Sequence, residues 1–471
     1  MTAISPPFGT VTLTPLPVRV LLGICATAFV LYIPVALLRS TAPLLILDAS
    51  LAVLVVLTLS CVTPKRLVGG SAAVWCCLAL VGLSIVPAIM IDNGAGMGDL
   101  VKGLRSVLFG MVMLLVASAW LDTAQRADRF VQILLLGATF AALYAVRQVL
   151  FGLLPFELER LALMGSSERE MDVLGRIRIP STFGDPVTFA FFAMLGVCMF
   201  VIARLRGQLP LLTRRLALPV LLLLGMALGV TLTRAAMLGL ACAFIWLLVT
   251  SSRFGVRWVL RMTAIAGLGL GGLLALNQVV TSNVLADSDV QWVRTANNTL
   301  SAVWTLIPAA ASGEVGAELD KLRGVSATSR KEAWTEGLEY LVRHPLGGGL
   351  GTMTSGGGNE ISFSPIDVGI LRFGLELGWV GMAGVAGLWL SVLVVGIRKW
   401  RRITDLRTRE LGRGLLGAWL AIGAAQSVTS FLHTELIGAV SWMIAALILN
   451  LDRIANSESA RCAMQSKGVS Q

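Results

Sequence analysis

Apolar stretches long enough to cross a bilayer recur along this chain from about Val18 to about Asn450, and one polar segment interrupts them, from about Asn277 to Pro365. A spanning helix needs about 20 apolar residues. On that rule the spans fall at 18–38, 42–61, 72–91, 104–121, 130–152, 183–203, 216–232, 234–250, 260–276, 377–397, 412–431 and 435–450. The pattern predicts an all-α polytopic membrane protein with about twelve transmembrane helices. Two insertions stand out from a single membrane domain: a smaller one at 153–182, dense in charge, and the large loop at 277–365. The tail at 454–471 is polar and reads as unstructured.

Composition agrees with this. Only 14% of the 471 residues are charged and mean hydropathy is +0.81, where soluble domains carry about 25% charged residues. The net charge of +11 invites a nucleic-acid reading, but its distribution argues against one. Lys65, Arg66, Arg126, Arg129, Arg204, Arg206, Arg214, Arg215, Arg253, Arg257, Arg261 and the run from Arg398 to Arg413 all fall in alternate loops. That is the positive-inside asymmetry, and it places both termini in the cytoplasm and the large loop outside. Two histidines, His344 and His433, far apart in the chain, offer no metal cluster. No cofactor is expected. The seven cysteines avoid the outer segments, so no disulfide framework is expected either.

The second half of the large loop can be read residue by residue. Ser329 and Glu332 fit a capping box. Trp334, Leu338, Leu341 and Val342 then form the apolar stripe of an amphipathic helix, which Arg343, His344 and Pro345 close. Glycines at 347–349, 351 and 356–358 make a connector. Ser364-Pro365-Ile366-Asp367 opens a second amphipathic helix that leads into the span beginning near Leu377.

Three places put cations where an apolar chain would avoid them. Arg234 follows Thr231-Leu232-Thr233 between two apolar runs and opens the second. Arg330 and Lys331 open the loop helix. Arg176 and Arg178 precede Pro180-Ser181-Thr182-Phe183-Gly184-Asp185-Pro186. Cations at a helix N-terminus cost up to about 1 kcal/mol, and arginines there together with free backbone amides suit an anion. Each place also has a plainer reading. Arg234 as a headgroup anchor, Arg330 and Lys331 as solvated charges, and Arg176 and Arg178 paired with Glu157, Glu159 or Asp172 are all open on sequence. Asp367 is explained by capping alone, and His344 by ending a helix.

These segments resemble a known family. Thr231-Leu232-Thr233-Arg234-Ala235 is similar to the T-x-S-R-G/A element of O-antigen ligases and Wzy-type polysaccharide polymerases. Arg178 to Ala190 resembles the family's R-x-x-S-T-F-G-D/N-P-x-x-F-A segment. Arg330 to Trp334 followed by His344 to Gly351 resembles its R-x-x-x-W and H-P-x-x-G-x-G-x-G loop. Asp367 to Gly381 resembles the loop-closing helix with L-x-E-x-G-x-x-G. The resemblance covers roughly 175–385, in family order.

It implies a GT-C-like fold and metal-independent glycosyl transfer on the periplasmic face of the bacterial inner membrane. The donor would be an undecaprenyl-diphosphate-linked glycan. Arg234 and Arg330 would hold the diphosphate, with Arg176, Arg178 and Lys331 assisting. His344, Arg372 and Glu376 would line or organise the site. Ligases carry a histidine where this chain has Asp367, a difference that favours a polymerase of O-antigen, capsule or exopolysaccharide repeat units and leaves Asp367 as the candidate base. An O-antigen ligase using lipid A-core is the alternative, and a lipid-linked oligosaccharide transporter a further one. A chain-length regulator is a candidate partner besides membrane lipid; nucleic acid is not.

Overall fold

A computed structural model describes residues 67–68, 70–91, 96–155, 157, 179–183, 185–207, 216–231, 233–250, 332–353, 369–430, 432 and 435–468. The expected spans at 18–38, 42–61 and 260–276 lie outside these residues, as does most of both insertions. Among the described residues the regular elements are helices and none is a strand. We number them α1 (Ala72–Met90), α2 (Met97–Trp120), α3 (Ala124–Phe151), α4 (Pro186–Leu205), α5 (Ala217–Thr231), α6 (Arg234–Thr250), α7 (332–343), α8 (Leu371–Arg402), α9 (Leu406–Gln426), α10 (Glu435–Leu449) and α11 (Leu451–Gly468). By length and composition α1, α2, α3, α4 and α8 can each cross a membrane, and α10 with α11 makes a sixth candidate bent by 63°. The chain is a multi-pass helical membrane protein.

Its packing shows why. Val74, Leu78, Val81, Ile85 and Ala88 line the buried side of α1, against α8, while Leu83, Val86 and Met90 stay on the open side. Leu136, Phe140 and Leu143 of α3 and Leu390 and Val394 of α8 are open in the same way. In water such a surface would be an aggregation liability; facing lipid it costs nothing. The helix α4 is apolar all round and correspondingly central. Phe189 through Leu195 are all buried, among α3, α5, α6 and α9.

Helix direction alternates, so each helix terminus belongs to one of two ends. Arg126, Arg129, Arg204, Arg206, Arg407, Arg409 and Arg413 collect at the end where α11 runs, here the tail end. Arg206 is not a solvated orientation charge. It lies 2.7 Å from Asp128 of α3 and donates to the Arg407 carbonyl at 3.0 Å, clamping α3, α4 and α9 together.

The tail differs from expectation. Residues 451–468 are helical, not unstructured. The Asn450 side chain donates to the Ser118 and Leu121 carbonyls at the end of α2, at 2.7 and 3.1 Å, and fixes the bend. Leu451 and Ile454 are buried, and the Ser457 hydroxyl accepts from the Ala124 amide, capping α3 from another helix. Lys399 lies 2.9 Å from Asp452 and Arg407 3.6 Å from Glu458, so a polar helix docks on two apolar residues, one cap and two ion pairs, a signal that composition does not register.

The other corrections concern α7 and α8. Of the expected stripe, Leu341 is buried and Trp334 packs beside it, but the rest of the buried side is Ala333 and Gly337 instead of Leu338 and Val342. Small residues let α7 lie close on Leu371, Leu375 and Met353, and that leaves Leu338 38% and Val342 73% exposed. The span expected from Leu377 begins at Leu371 and breaks at Gly378 (φ 73°, ψ −174°). The helix expected to open at Ser364–Asp367 lies outside the described residues; Gly369, just before α8, has φ 51°.

Candidate functional site

The end opposite the tail, the loop end, gathers the residues with chemistry. Arg234 is the first residue of α6 and is exposed. Its turn is held from within: the Thr231 hydroxyl donates to the Leu228 carbonyl at 2.7 Å and the Thr233 hydroxyl to the Thr231 carbonyl at 3.2 Å. Just below, Ala235 and Ala236 are buried. Packing is thus carried by the neighbours, while the guanidinium stands at a helix N-terminus, whose first amides are unsatisfied within the helix.

The register of α6 on α9 says what lies beside it. The Trp246 indole donates to the Arg413 carbonyl at 3.0 Å. A Cβ on Gly239 would meet the Ala421 carbonyl oxygen at 2.6 Å. Extending this antiparallel register sets Arg234 level with Gln426. A Cβ on Gly369 would lie 2.2 Å from the Gln426 carbonyl oxygen, so the residues preceding α8 reach the same level of α9. The Arg234 turn and the entry to α8 therefore lie at the same level of α9, at the loop end.

The first turns of α8 carry Arg372 and Glu376, 3.8 Å apart and both buried. The Glu376 carboxylate also accepts from the Met353 amide. That ties α8 to the glycine-rich connector, which in turn reaches α1 and α2: the Leu350 amide donates to the Ala88 carbonyl at 3.1 Å, and a Cβ on Gly103 would meet the Gly351 nitrogen at 2.4 Å. His344 is exposed and its ring lies tilted against Tyr340, with centroids 4.5 Å apart. Its neighbour Arg343 lies 3.4 Å from Glu339. Asp185 of the Pro180–Pro186 element accepts from the Val187 and Thr188 amides at 3.1 and 2.7 Å and caps α4. Arg176, Arg178, Arg330, Lys331 and Asp367 lie outside the described residues.

Sequence reasoning missed two features of this end. Arg105 sits on α2 two residues beyond Gly103, an arginine about two turns inside the helix, following the charged Asp99 and Lys102. The other is a carboxylate hub. Glu157 accepts from the Tyr144 hydroxyl at 2.6 Å, from Arg147 at 3.0 Å, from the Gln148 amide at 2.9 Å and from the Leu154 backbone amide. Gln148 also donates to the Ser181 carbonyl at 3.1 Å. Both ends of the smaller insertion are thereby fastened to α3. Tyr144, Arg147 and Gln148 at i, i+3, i+4 share one helix face, a signal that would have marked a polar patch but not its partner.

Burial pushes the Glu157 carboxyl up, yet the bonds from Tyr144, Leu154, Gln148 and Arg147 outweigh it and hold the group below the ordinary carboxylate range. A depressed carboxyl contributes stability that is complete above its unfolded value and lost as pH falls through the folded one. Glu157→Gln should therefore lower thermal stability at about pH 7 by about 1–3 kcal/mol, the scale of hydrogen bonds to a charged group. The gap to wild type should close on acidification. A gap that stays constant down to about pH 3, measured by thermal unfolding in detergent, would deny the ionised hub.

Among the described residues, no group of three or more His, Cys, Asp and Glu side chains could hold a metal ion. No protein-family model matches the chain, and no curated protein matches it.

Proposed function

We propose that this chain polymerises undecaprenyl-diphosphate-linked repeat units of O-antigen, capsule or exopolysaccharide on the periplasmic face of the bacterial inner membrane. In this reading the fold is GT-C-like with about twelve spans, the loop end is periplasmic, and both termini are cytoplasmic. The observation that carries it is Arg234: an exposed arginine opening an apolar helix, on a turn braced by Thr231 and Thr233, at the level where the chain enters α8. An arginine at the end of a membrane helix suits a lipid-borne diphosphate at the bilayer surface. The four segments resembling the ligase and polymerase family supply the substrate class.

The acceptor sugar's hydroxyl oxygen attacks the anomeric carbon of the donor glycan. The bond from that carbon to the diphosphate oxygen breaks, and undecaprenyl diphosphate leaves with the electron pair. Arg234 and Arg330 neutralise the charge that grows on the leaving oxygens, with Arg176, Arg178 and Lys331 adjacent. Asp367 takes the hydroxyl proton. His344 borders the acceptor side, and Arg372 with Glu376 shapes the helix behind it.

Deletion of the gene in its host tests the reading. The polymerase should leave single repeat units attached to their final acceptor and remove longer chains. Loss of every unit from lipid A-core would instead fit the ligase. Orientation has its own test. With the native cysteines removed, Val342→Cys should react with a membrane-impermeant thiol reagent in intact spheroplasts, and Ser459→Cys only after lysis. The reverse pattern would put the loop end in the cytoplasm, away from the substrate.

A further inference from the structure

The break in α8 is filled by another segment of the chain. In an unbroken helix the Trp379 amide would donate to the Leu375 carbonyl, four residues back. Here both groups are diverted. The Trp379 amide donates to the Pro345 carbonyl at 3.1 Å, and the Leu375 carbonyl accepts from the Gly348 amide at 2.7 Å. One helical bond is replaced by two bonds to the peptide 345–348. The Trp379 indole adds a third, to the Leu341 carbonyl at the end of α7, at 3.2 Å. The exchange needs two glycines face to face. A Cβ on Gly378 would lie 2.4 Å from the Pro345 carbonyl oxygen, and one on Gly347 would lie 2.6 Å from the Gly378 nitrogen. Gly378 and Gly347 have φ of 73° and 84°, which only glycine adopts freely.

We infer that residues 345–348 are a latch inserted into the hydrogen-bond ladder of α8, and that Gly347 and Gly378 are positioning residues for the turn bearing Arg372 and Glu376. Latched, residues 371–377 form a separate element whose direction is set by α7 and the connector. Unlatched, the ladder closes through Trp379 and Leu375 and α8 becomes straight, which re-aims that turn and the chain entering it. The two states differ by an exchange of partners at the Trp379 amide and the Leu375 carbonyl. The consequence for catalysis rests on the transfer proposed above; the latch itself does not.

Amide hydrogen exchange on the purified full-length protein separates the states, resolved at Gly348 and Trp379. In the wild type both amides should be protected. In Gly347→Ala, and separately in Gly378→Ala, the Gly348 amide should exchange about a hundredfold faster or more, while Trp379 stays protected because it returns to Leu375. Loss of protection at both positions would mean simple local unfolding and overturn the latch, as would unchanged exchange at both. Gly347→Ala should also lower turnover by about a hundredfold, the cost of misplacing a group by about 1 Å, with the KM for lipid-linked donor unchanged, since Arg234 stands on another helix. Wild-type turnover beside altered exchange would overturn the positioning role. A wild type that transfers no glycan would remove the proposed function and leave the exchange result to decide the latch.

Discussion

Arg234→Ala should abolish polymer formation while leaving the amount of protein in the membrane unchanged. The side chain is exposed. Its turn is braced by Thr231 and Thr233, and the first turn of α6 packs through Ala235 and Ala236, so truncation removes function without removing packing. What is lost is a charge-assisted contact to the leaving diphosphate, on the scale of one oxyanion donor, about a hundredfold or more in rate. Arg330→Ala should behave alike. Lysine at either position should rescue poorly, because it keeps the charge but lacks the planar fork that engages two phosphate oxygens. Near-normal polymer length from both alanine variants would reduce these residues to headgroup anchors.

Asp367→Asn should cost about a hundredfold or more in elongation rate, the usual contribution of a general base. The substitution separates two roles. The amide oxygen of asparagine still accepts a backbone N–H, so a capping role would survive it almost intact. It cannot take a proton, so a catalytic role would not. Gly369, two residues further on, abuts Gln426, level with Arg234 by the register of α6 on α9. Elongation at wild-type speed would leave Asp367 a helix cap.

Much of the membrane architecture could be read from hydrophobic length, because a bilayer demands long apolar runs: α1, α3 and α4 can cross a membrane and lie close to where such runs predict them, whereas α5 and α6 match their predicted bounds but are shorter than a span. The Arg234 turn was legible for the same reason: one arginine in an otherwise continuous apolar stretch forces a helix end. What hydrophobic length does not encode is pairing. The Asp128–Arg206 clamp reads as an orientation charge until its partner is seen. Glu157 reads as one of many insertion charges until Tyr144, Arg147 and Gln148 converge on it. On α7, Leu341 and Trp334 pack as the pattern predicts, and Ala333 and Gly337 take the places of Leu338 and Val342 because close approach selects small residues. Gly378 lies in a run that reads as plain helix, and its break exists only because Pro345 and Gly348, some thirty residues earlier, take the ladder's partners.

The most direct measurement is elongation of purified undecaprenyl-diphosphate-linked repeat units by the purified protein in liposomes, with no lipid A-core present. Chains of two or more units should appear on the lipid carrier with undecaprenyl diphosphate released in proportion to the bonds formed, and neither should appear with Arg234→Ala. A wild type that is silent on lipid-linked units alone and active only when lipid A-core is added would contradict polymerisation and assign the chain to ligation.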